Sequence, residues 1–463
     1  MAKIGVFTIG SKNYLAYART LLASVSKHNP EYETYLCLAD QIDDHFDPEI
    51  ESFTTITSDQ LNIPTFDDMT LRYNIMEFNT AVKPFMFGWL FEKTDLDAII
   101  YLDPDILAYS TFDELEKIFQ DGASVILTPH YTKPLEDGCI PDDYNMMRTG
   151  VFNLGFIAAR RCQEAIDYMQ WWGRRLSFQC IADFSKNLFV DQKWCDLAPC
   201  FLENLHVLKH PGYNVAYWNL AERDVKNDGD WTVNNQPLAF FHFSGVHPEK
   251  KHIVSKYQDR FNWGDIKPLQ PLFENYAEQL LLNGWKKSTN WPYAYSTLID
   301  KTAIPDSARK LYHLKTPKPL TCDKAEIEKH FVDLCNEKTK DIRSDKSTTI
   351  TQLMHFIYQD SSELQHAFNL SSKNGRQEYV SWFNTAGLDQ YGLSDKFSNN
   401  DSINITPSAR LKILSLFLKG IMNIEKAVKR LSKCIPKDKY DAYKDTYFRC
   451  KNKFIGFIRG AIN

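Results

Sequence analysis

Short continuous apolar runs alternate with segments whose apolar residues recur at helical spacing over residues 1–265. Residues 3–9 form one such run and predict a strand covered on both faces; residues 14–27 follow, with Leu15, Ala18, Leu22 and Val25 on one helical face. Residues 34–39 predict a second strand that ends at Asp40, and residues 80–91 a helix leading through Thr94 and Asp95 into Ala98-Ile99-Ile100. Thr111, with Glu114 three residues on, has the form of a capping box for the next helix. Residues 124–128 read as another strand, as do the runs around Phe152 and Phe240. Alternation on this scale predicts an α/β sandwich around a largely parallel sheet.

The pattern changes at Pro268 and Pro271. Leu272, Tyr276, Leu280 and Leu281 then suggest helix, and the charged stretch 320–345 a surface helix, so residues 266–345 read as connecting helices and linker. Residues 346–400 read as a compact helical unit built on Leu353, Phe356, Ile357, Leu364, Phe368, Tyr379, Trp382 and Phe383. A polar linker follows, and residues 401–463 read as basic amphipathic helices, with Ile421, Ile424, Val428 and Leu431 at helical spacing among lysines and arginines.

With 463 residues, 43% of them hydrophobic and 24% charged, the chain has the make-up of an ordinary soluble protein of two or three domains. Charge is distributed unevenly. From Ala409 onward fourteen Lys or Arg stand against Glu425, Asp438, Asp441 and Asp445, although the whole chain carries −5. An acidic body argues against nucleic acid as a partner, and the basic tail has two readings: it meets an anionic membrane surface, or its apolar faces pack on the acidic body. No stretch reaches the roughly 18 apolar residues of a membrane span. The first residues read as a strand and not as a signal peptide. Ten cysteines without a Cys-X-X-Cys pair fit a reducing compartment. The expected location is therefore cytoplasmic, with a peripheral position on the inner face of the plasma membrane as the variant that the tail suggests.

Candidate chemistry centres on Tyr101-Leu102-Asp103-Pro104-Asp105. Ligands of such sheets bind beyond the carboxyl ends of strands. Two carboxylates there make a hard oxygen site suited to Mg²⁺ or Mn²⁺ carrying a diphosphate; the same pair also fits a capped turn. Thr8-Ile9-Gly10-Ser11-Lys12-Asn13-Tyr14 follows the first strand, where a glycine-containing loop can approach a nucleotide and Tyr14 can stack on a base. The loop lacks the Gly-X-Gly-X-X-Gly of a dinucleotide site. Asn153 sits in the apolar run 150–157, so its amide needs partners, either in the protein or in a ligand. Asp191 and Gln192 follow the apolar Phe189-Val190; Asp191 also suits a helix cap. His242 stands in the aromatic run Phe240-Phe241-His242-Phe243, as a core histidine or as the imidazole completing a Mn²⁺ shell. Lys250, Lys251 and Lys256 can neutralise phosphate as point charges.

Taken in order, the loop from Thr8, Thr80-Ala81-Val82-Lys83-Pro84-Phe85, Tyr101 to Ile106, Phe152-Asn153-Leu154-Gly155-Phe156, Asp191-Gln192 and His242-Phe243-Ser244-Gly245 give residues 1–265 a resemblance to bacterial GT-A-fold glycosyltransferases, distantly similar to the glycogenin-like family eight enzymes. Ser255-Lys256-Tyr257-Gln258-Asp259-Arg260 resembles a segment of bacterial surface-polysaccharide transferases, and the stretch from Trp291 to Arg309, with the helical unit up to Leu393, resembles accessory segments of the same enzymes. The resemblance implies the GT-A nucleotide-diphospho-sugar transferase fold, a Rossmann-like mixed sheet followed by a C-terminal helical region. It implies Asp103, Asp105 and His242 as ligands of Mn²⁺ or Mg²⁺, with Asp103 also toward the donor diphosphate; Thr8, Tyr14 and Asp40 along the nucleotide; and Lys83 on the donor sugar or phosphate. Asn153, Asp191 and Gln192 would face the transferred sugar, and Lys256 the leaving diphosphate. The Lys-Pro-Trp expected after the histidine is absent. Val246-His247-Pro248-Glu249-Lys250 stands there instead, which leaves the phosphate lysine open between Lys250 and Lys256.

The resulting expectation is a metal-dependent transferase that moves a sugar from a nucleotide diphosphate donor, a UDP-sugar favoured, to a glycan acceptor on a lipid-linked surface polysaccharide, with retention. Two other classes share such a domain. A sugar-phosphate nucleotidyltransferase would show a Gly-rich, Arg-containing loop after the first strand, which residues 8–14 lack; a non-catalytic glycan-binding protein would have no need of intact Asp103, Asp105 and His242.

Overall fold

The computed structural model describes residues 2–250, 253–342 and 348–398, with isolated positions between 416 and 447. They form two compact units, Met1–Met69 with Ile75–Tyr295 and Thr70–Asn74 with Ser296–Asn463.

The first unit holds nine strands used below: β1 (Ile4–Gly10), β2 (Glu33–Leu38), β3 (Thr54–Thr57), β4 (Ala98–Leu102), β5 (Ile106–Ala108), β6 (Val125–Pro129), β7 (Phe152–Arg160), β8 (Leu205–Val207) and β9 (Phe240–His242). Seven of them make one sheet in the order β8-β6-β7-β4-β1-β2-β3. β1 is buried along its whole length, as a continuous apolar run in a sheet covered on both faces should be. β1 runs parallel to β2 and β4, β2 to β3, and β6 to β8. β7 lies antiparallel to both β4 and β6, so the sheet is largely parallel, as the pattern of apolar runs suggested, with one reversed strand that makes it mixed. An apolar run looks the same in either direction, which is why the reversal is silent in the sequence. β5 and β9 leave the main sheet and pair with each other as a two-stranded antiparallel ribbon.

Helix α1 (Leu15–His28) follows β1 and buries Leu15, Ala18, Leu22 and Val25 as its spacing predicts. The helix expected over 80–91 is divided: one helix covers Ile75–Ala81, and α2 (Lys83–Lys93) starts afresh with Pro84 in its first turn, where a missing N–H costs nothing. Helix α3 (Asp113–Gln120) is capped from a distance. Its N-cap residue is Phe112, not Thr111, and the Phe112 N–H donates to the buried Asn29 Oδ1 at 2.9 Å. Helix α4 (Gln163–Gln179) meets α2 where Gly173 lies against the Phe85 ring. Helix α5 (Gln270–Leu282) belongs to the first unit rather than to a connecting region. Its buried stripe Leu272, Phe273, Tyr276 and Leu280 covers the aromatic side of the β5–β9 ribbon, with the Tyr276 ring stacked 3.9 Å from that of Phe243.

The second unit is helical: α6 (Asp306–Lys315), α7 (Lys324–Asn336), α8 (Gln352–Gln359) and α9 (Lys373–Trp382). α7 is charged outside but buries Ile327, Phe331 and Cys335 at intervals of four, so it joins the same core as α8 and α9 instead of standing apart as a surface helix. Asp323, Thr351 and Ser372 cap α7, α8 and α9 through side-chain oxygens. Buried Arg309 holds segment 70–74 by donating to the carbonyls of Thr70, Leu71 and Tyr73 at 2.6–2.7 Å. Leu418 is a buried member of this core; most of the basic tail, 409–463, lies outside the described residues. Among those described, no helix is long and apolar enough to cross a membrane. Phe331 is fully buried between Tyr312 and Phe397. Phe331→Ala is expected to destabilise this unit by about 3–5 kcal/mol, read as a shifted urea transition in tryptophan fluorescence, Trp382 being part of the same core; an unshifted transition contradicts that packing.

Candidate active site

The chain turns sharply after β4. The Asp103 N–H donates to the Gly155 carbonyl at 2.8 Å, one step past the strand, and the Ile106 N–H donates back to the Asp103 carbonyl at 3.1 Å to start β5. Asp105 therefore occupies the corner. β9 returns in a register that sets His242 opposite Ile106, and the Phe243 N–H donates to the Asp105 carbonyl at 2.8 Å. His242 Nε2 then lies 3.0 Å from Asp105 Oδ1 and 3.8 Å from Asp103 Oδ2. One ligand atom from each of the three falls within 4.8 Å of the others. The imidazole is 3% exposed, whereas the carboxylates keep 31% and 25% of their surface open, so a ligand has access from the carboxylate side. Burial raises the Asp103 carboxyl above the usual carboxylate range. Burial alone would lower His242, but Asp105 and Asp103 beside it raise it overall. Two hard oxygens and one imidazole nitrogen at this separation fit Mn²⁺ or Mg²⁺.

Gly155 makes the approach possible. A Cβ on it would stand 2.4 Å from His242 Cε1 and 2.8 Å from Asn153 Oδ1. Beneath the imidazole lies a set of buried amides. Asn214 Oδ1 faces His242 Nδ1 at 3.2 Å, and its Nδ2 donates to Thr128 Oγ1 at 2.8 Å and to Asn153 Oδ1 at 3.0 Å. Asn153 Oδ1 also accepts the Gly155 N–H at 3.1 Å, and its Nδ2 meets His130 Nε2 at 3.3 Å. Burial lowers His130 to about 4, so it stays neutral. Trp218 sets its ring edge-on to both His130 and His242, with centroids 5.4 and 5.1 Å away.

A buried ion pair stands on the other side of β4. Lys83, in the first turn of α2, donates from Nζ to Asp191 Oδ2 at 2.5 Å and to the Leu154 carbonyl at 2.8 Å, and lies 4.1 Å from the Tyr101 ring centroid. The Tyr101 hydroxyl donates to Asp103 Oδ1 at 2.5 Å, so this pair and the cluster share a wall. Burial raises the Asp191 carboxyl and Lys83 opposes that rise. Asp191 makes no side-chain cap, although a helical turn starts after it. Val190 before it has φ +42°, a costly conformation for a β-branched residue that persists only where the surroundings impose it. Gln192 is spent on the backbone: Oε1 accepts the Leu154 N–H at 3.1 Å and Nε2 donates to the Thr149 carbonyl at 3.0 Å.

The three groups expected along the nucleotide, Thr8 within β1, Tyr14 after it and Asp40 after β2, differ in their surroundings. The Thr8 hydroxyl is buried with no hydrogen-bond partner among the described residues. Tyr14, 43% exposed, stacks on Tyr17 at 4.7 Å. The Asp40 carboxylate is taken up by protein donors: Lys12 Nζ at 3.2 Å, the Lys12 N–H at 3.2 Å, and the N–H groups of Gln41 and Ala294 at 2.8 and 2.9 Å. Lys256 is exposed, its ammonium 4.7 Å from the Tyr257 ring centroid. The structure thus gathers Asp103, Asp105 and His242 at one point, with Lys83 and Asp191 paired alongside. It uses the side chains of Asn153, Gln192 and Asp40 internally. Sequence reasoning passed over Lys12, His130, Asn214 and Trp218. A buried lysine and a lone histidine gave no periodic signal, and Asn214 reads as a turn residue.

No protein-family model matches the chain. It is 26% identical over 312 residues to the uncharacterised protein YfnD of Bacillus subtilis, covering 65% of this chain and 96% of that one. It is 24% identical over 250 residues to a lipopolysaccharide 1,2-glucosyltransferase of Escherichia coli, covering 51% of this chain and 69% of that enzyme. Among solved structures, the galactosyltransferase LgtC in complex with donor and acceptor sugar analogues aligns with 59% of this chain and 95% of its own at 18% identity, with a TM-score of 0.36. The mixed sheet with a carboxylate–imidazole cluster at its strand ends is the arrangement that the resemblance to GT-A-fold glycosyltransferases implies.

Proposed function

We propose that the chain transfers a sugar from a nucleotide diphosphate donor, a UDP-sugar in the first instance, to a glycan of surface-polysaccharide type, with Mn²⁺ or Mg²⁺ on Asp103, Asp105 and His242 and with retention at the anomeric carbon. The observation that carries the reading is the convergence of those three ligand atoms within 4.8 Å. When bound, such a cation supplies Lewis-acid stabilisation to a departing diphosphate. The remaining roles fall to side chains whose surroundings suit them. The Thr8 hydroxyl, without a partner among the described residues, and the exposed Tyr14 ring offer a hydrogen bond and a stacking face to the nucleotide. Asp40 acts through the loop it ties down with Lys12. Lys83 holds Asp191 in a buried pair, so that a carboxylate of fixed position serves the transferred sugar, while Asn153 and Gln192 shape the same wall through the protein bonds they already make. Lys256, exposed beside Tyr257, is a cation available to the leaving diphosphate. The glycan acceptor is supported by the Escherichia coli relative, whose name gives lipopolysaccharide as what it glucosylates.

Screening UDP-, GDP- and dTDP-sugars for Mn²⁺-dependent hydrolysis tests the reading directly. Asp105→Ala is expected to abolish hydrolysis and transfer while leaving thermal unfolding close to wild type, because a part-exposed corner carboxylate contributes little to packing; undiminished activity of that variant in chelator overturns the metal assignment. Gly155→Ala is expected to weaken Mn²⁺ binding at least tenfold, since the added methyl displaces the imidazole, and titration followed by electron paramagnetic resonance reads it without any substrate. Asp191→Asn should lower kcat far more than it raises donor KM, as for an interaction made mainly in the transition state. Unchanged turnover with weakened nucleotide binding would move Asp191 away from the reacting centre.

A further inference from the structure

His242 does not hold itself in place. It is the last residue of a three-residue strand, and its imidazole meets carboxylates on one side only. The other ring nitrogen points to Asn214, a residue that nothing in the aromatic run around His242 announces. The segment carrying Asn214 runs beside β9: Val215 bridges Phe241, and the His242 N–H donates to the Val215 carbonyl at 2.7 Å. The Asn214 backbone has φ +52° and its side chain is 1% exposed. That conformation is tolerated by Asn and Asp better than by other side chains with a Cβ.

Which end of the Asn214 amide faces the histidine follows from the other partners. Thr128 Oγ1 at 2.8 Å and Asn153 Oδ1 at 3.0 Å both take protons from Nδ2. Asn153 Oδ1 is itself fixed as an acceptor, because it also receives the Gly155 N–H at 3.1 Å. Both Nδ2 protons are therefore committed, and the oxygen is left facing His242 Nδ1 at 3.2 Å. An acceptor at that position requires the proton on Nδ1. The Nε2 lone pair is then the one directed at the side where Asp105 Oδ1 and Asp103 Oδ2 stand 3.0 and 3.8 Å away. Ligating histidines are commonly oriented this way, by a partner on the nitrogen that does not bind.

We propose that Asn214, oriented by Thr128 and Asn153, is the positioning residue that fixes the His242 tautomer and aims Nε2 at the cation site. The inference rests on the metal reading above and extends it to residues outside the ligand set. Asn153 thereby acquires a role through His242: its amide is one of the two anchors that decide how Asn214 is turned. His130, neutral and in contact with Asn153 Nδ2, closes the network on the far side.

The test uses Mn²⁺ alone as probe, bound to the full chain and followed by electron paramagnetic resonance, with thermal unfolding measured in parallel. Asn214→Gly keeps the left-handed backbone and removes the acceptor; it is expected to weaken Mn²⁺ binding by about 10- to 100-fold, the range for loss of an orienting partner. Asn214→Asp keeps an oxygen toward Nδ1 and the same backbone preference, and is expected to recover most of the affinity. Wild-type affinity in Asn214→Gly overturns the proposal. Equal loss in both variants also overturns it, since a merely structural defect is not rescued by an acceptor. Should Asn214→Gly not fold, Thr128→Val carries the test: weaker Mn²⁺ binding supports the network, and wild-type binding overturns it. Asp105→Ala separates the two levels. If it leaves Mn²⁺ affinity unchanged, the ligand assignment fails; if it abolishes binding while Asn214→Gly does not weaken it, only the inference about Asn214 fails.

Discussion

A three-residue ribbon sets the geometry of the carboxylate–imidazole cluster. β9 pairs with β5 so that His242 lies opposite Ile106, one residue beyond Asp105. Because strand side chains alternate faces, a slip of one residue would turn the imidazole away from both carboxylates and bring a phenylalanine in its place. So short a ribbon has little pairing of its own to fix its register. The neighbours supply what it lacks: Phe241 and Phe243 are buried against α5, with the Tyr276 ring stacked on Phe243, and Val215 bonds to the backbone of His242. The helix that the sequence suggested as a connector is thus part of what sets the geometry of the cluster.

Sheet direction matters in the same way. β7 runs against β4, which allows the Asp103 N–H to bond Gly155 and brings the Gly155 backbone under the imidazole. A glycine is required there by space and not by backbone angle. Its Cβ would overlap the ring, so the Asn-Leu-Gly stretch of β7 is chemical information disguised as an ordinary buried strand.

The helical alternation of the first unit, the Asp-X-Asp strand end and the histidine were readable from residue pattern and order. So were the apolar faces of the helical unit, down to Leu353, Tyr379 and Trp382. What escaped the sequence has a common cause: each missed feature depends on which distant residue answers a polar group. Asn153, Gln192 and Asp40 are polar residues in apolar settings, and the rule that such groups need partners is obeyed by all three. The rule does not say whether the partner is protein or ligand, and here protein donors and acceptors fill the need. The antiparallel strand and the Phe112 cap escaped for the same reason, since both are decided by residues far away in the chain.

Two fully buried lysine–aspartate pairs stand among the described residues, Lys12 with Asp40 and Lys83 with Asp191. Burying both members of an ion pair recovers little net stability, because desolvation cancels most of the attraction. Neither pair is therefore explained as a stabiliser of the fold. Their positions are more telling: one ties the loops that follow β1 and β2, the other joins the start of α2 to the turn after the strained Val190. Each locks a carboxylate and an ammonium at one edge of the same sheet end. Rigid placement of charge in a dry setting is what a site needs when it must stabilise a leaving diphosphate and a developing cationic sugar without reorganising. On the transferase reading proposed above, the unfavourable desolvation of the two pairs, and the backbone strain beside one of them, belong to the function of the strand ends rather than to the stability of the sheet.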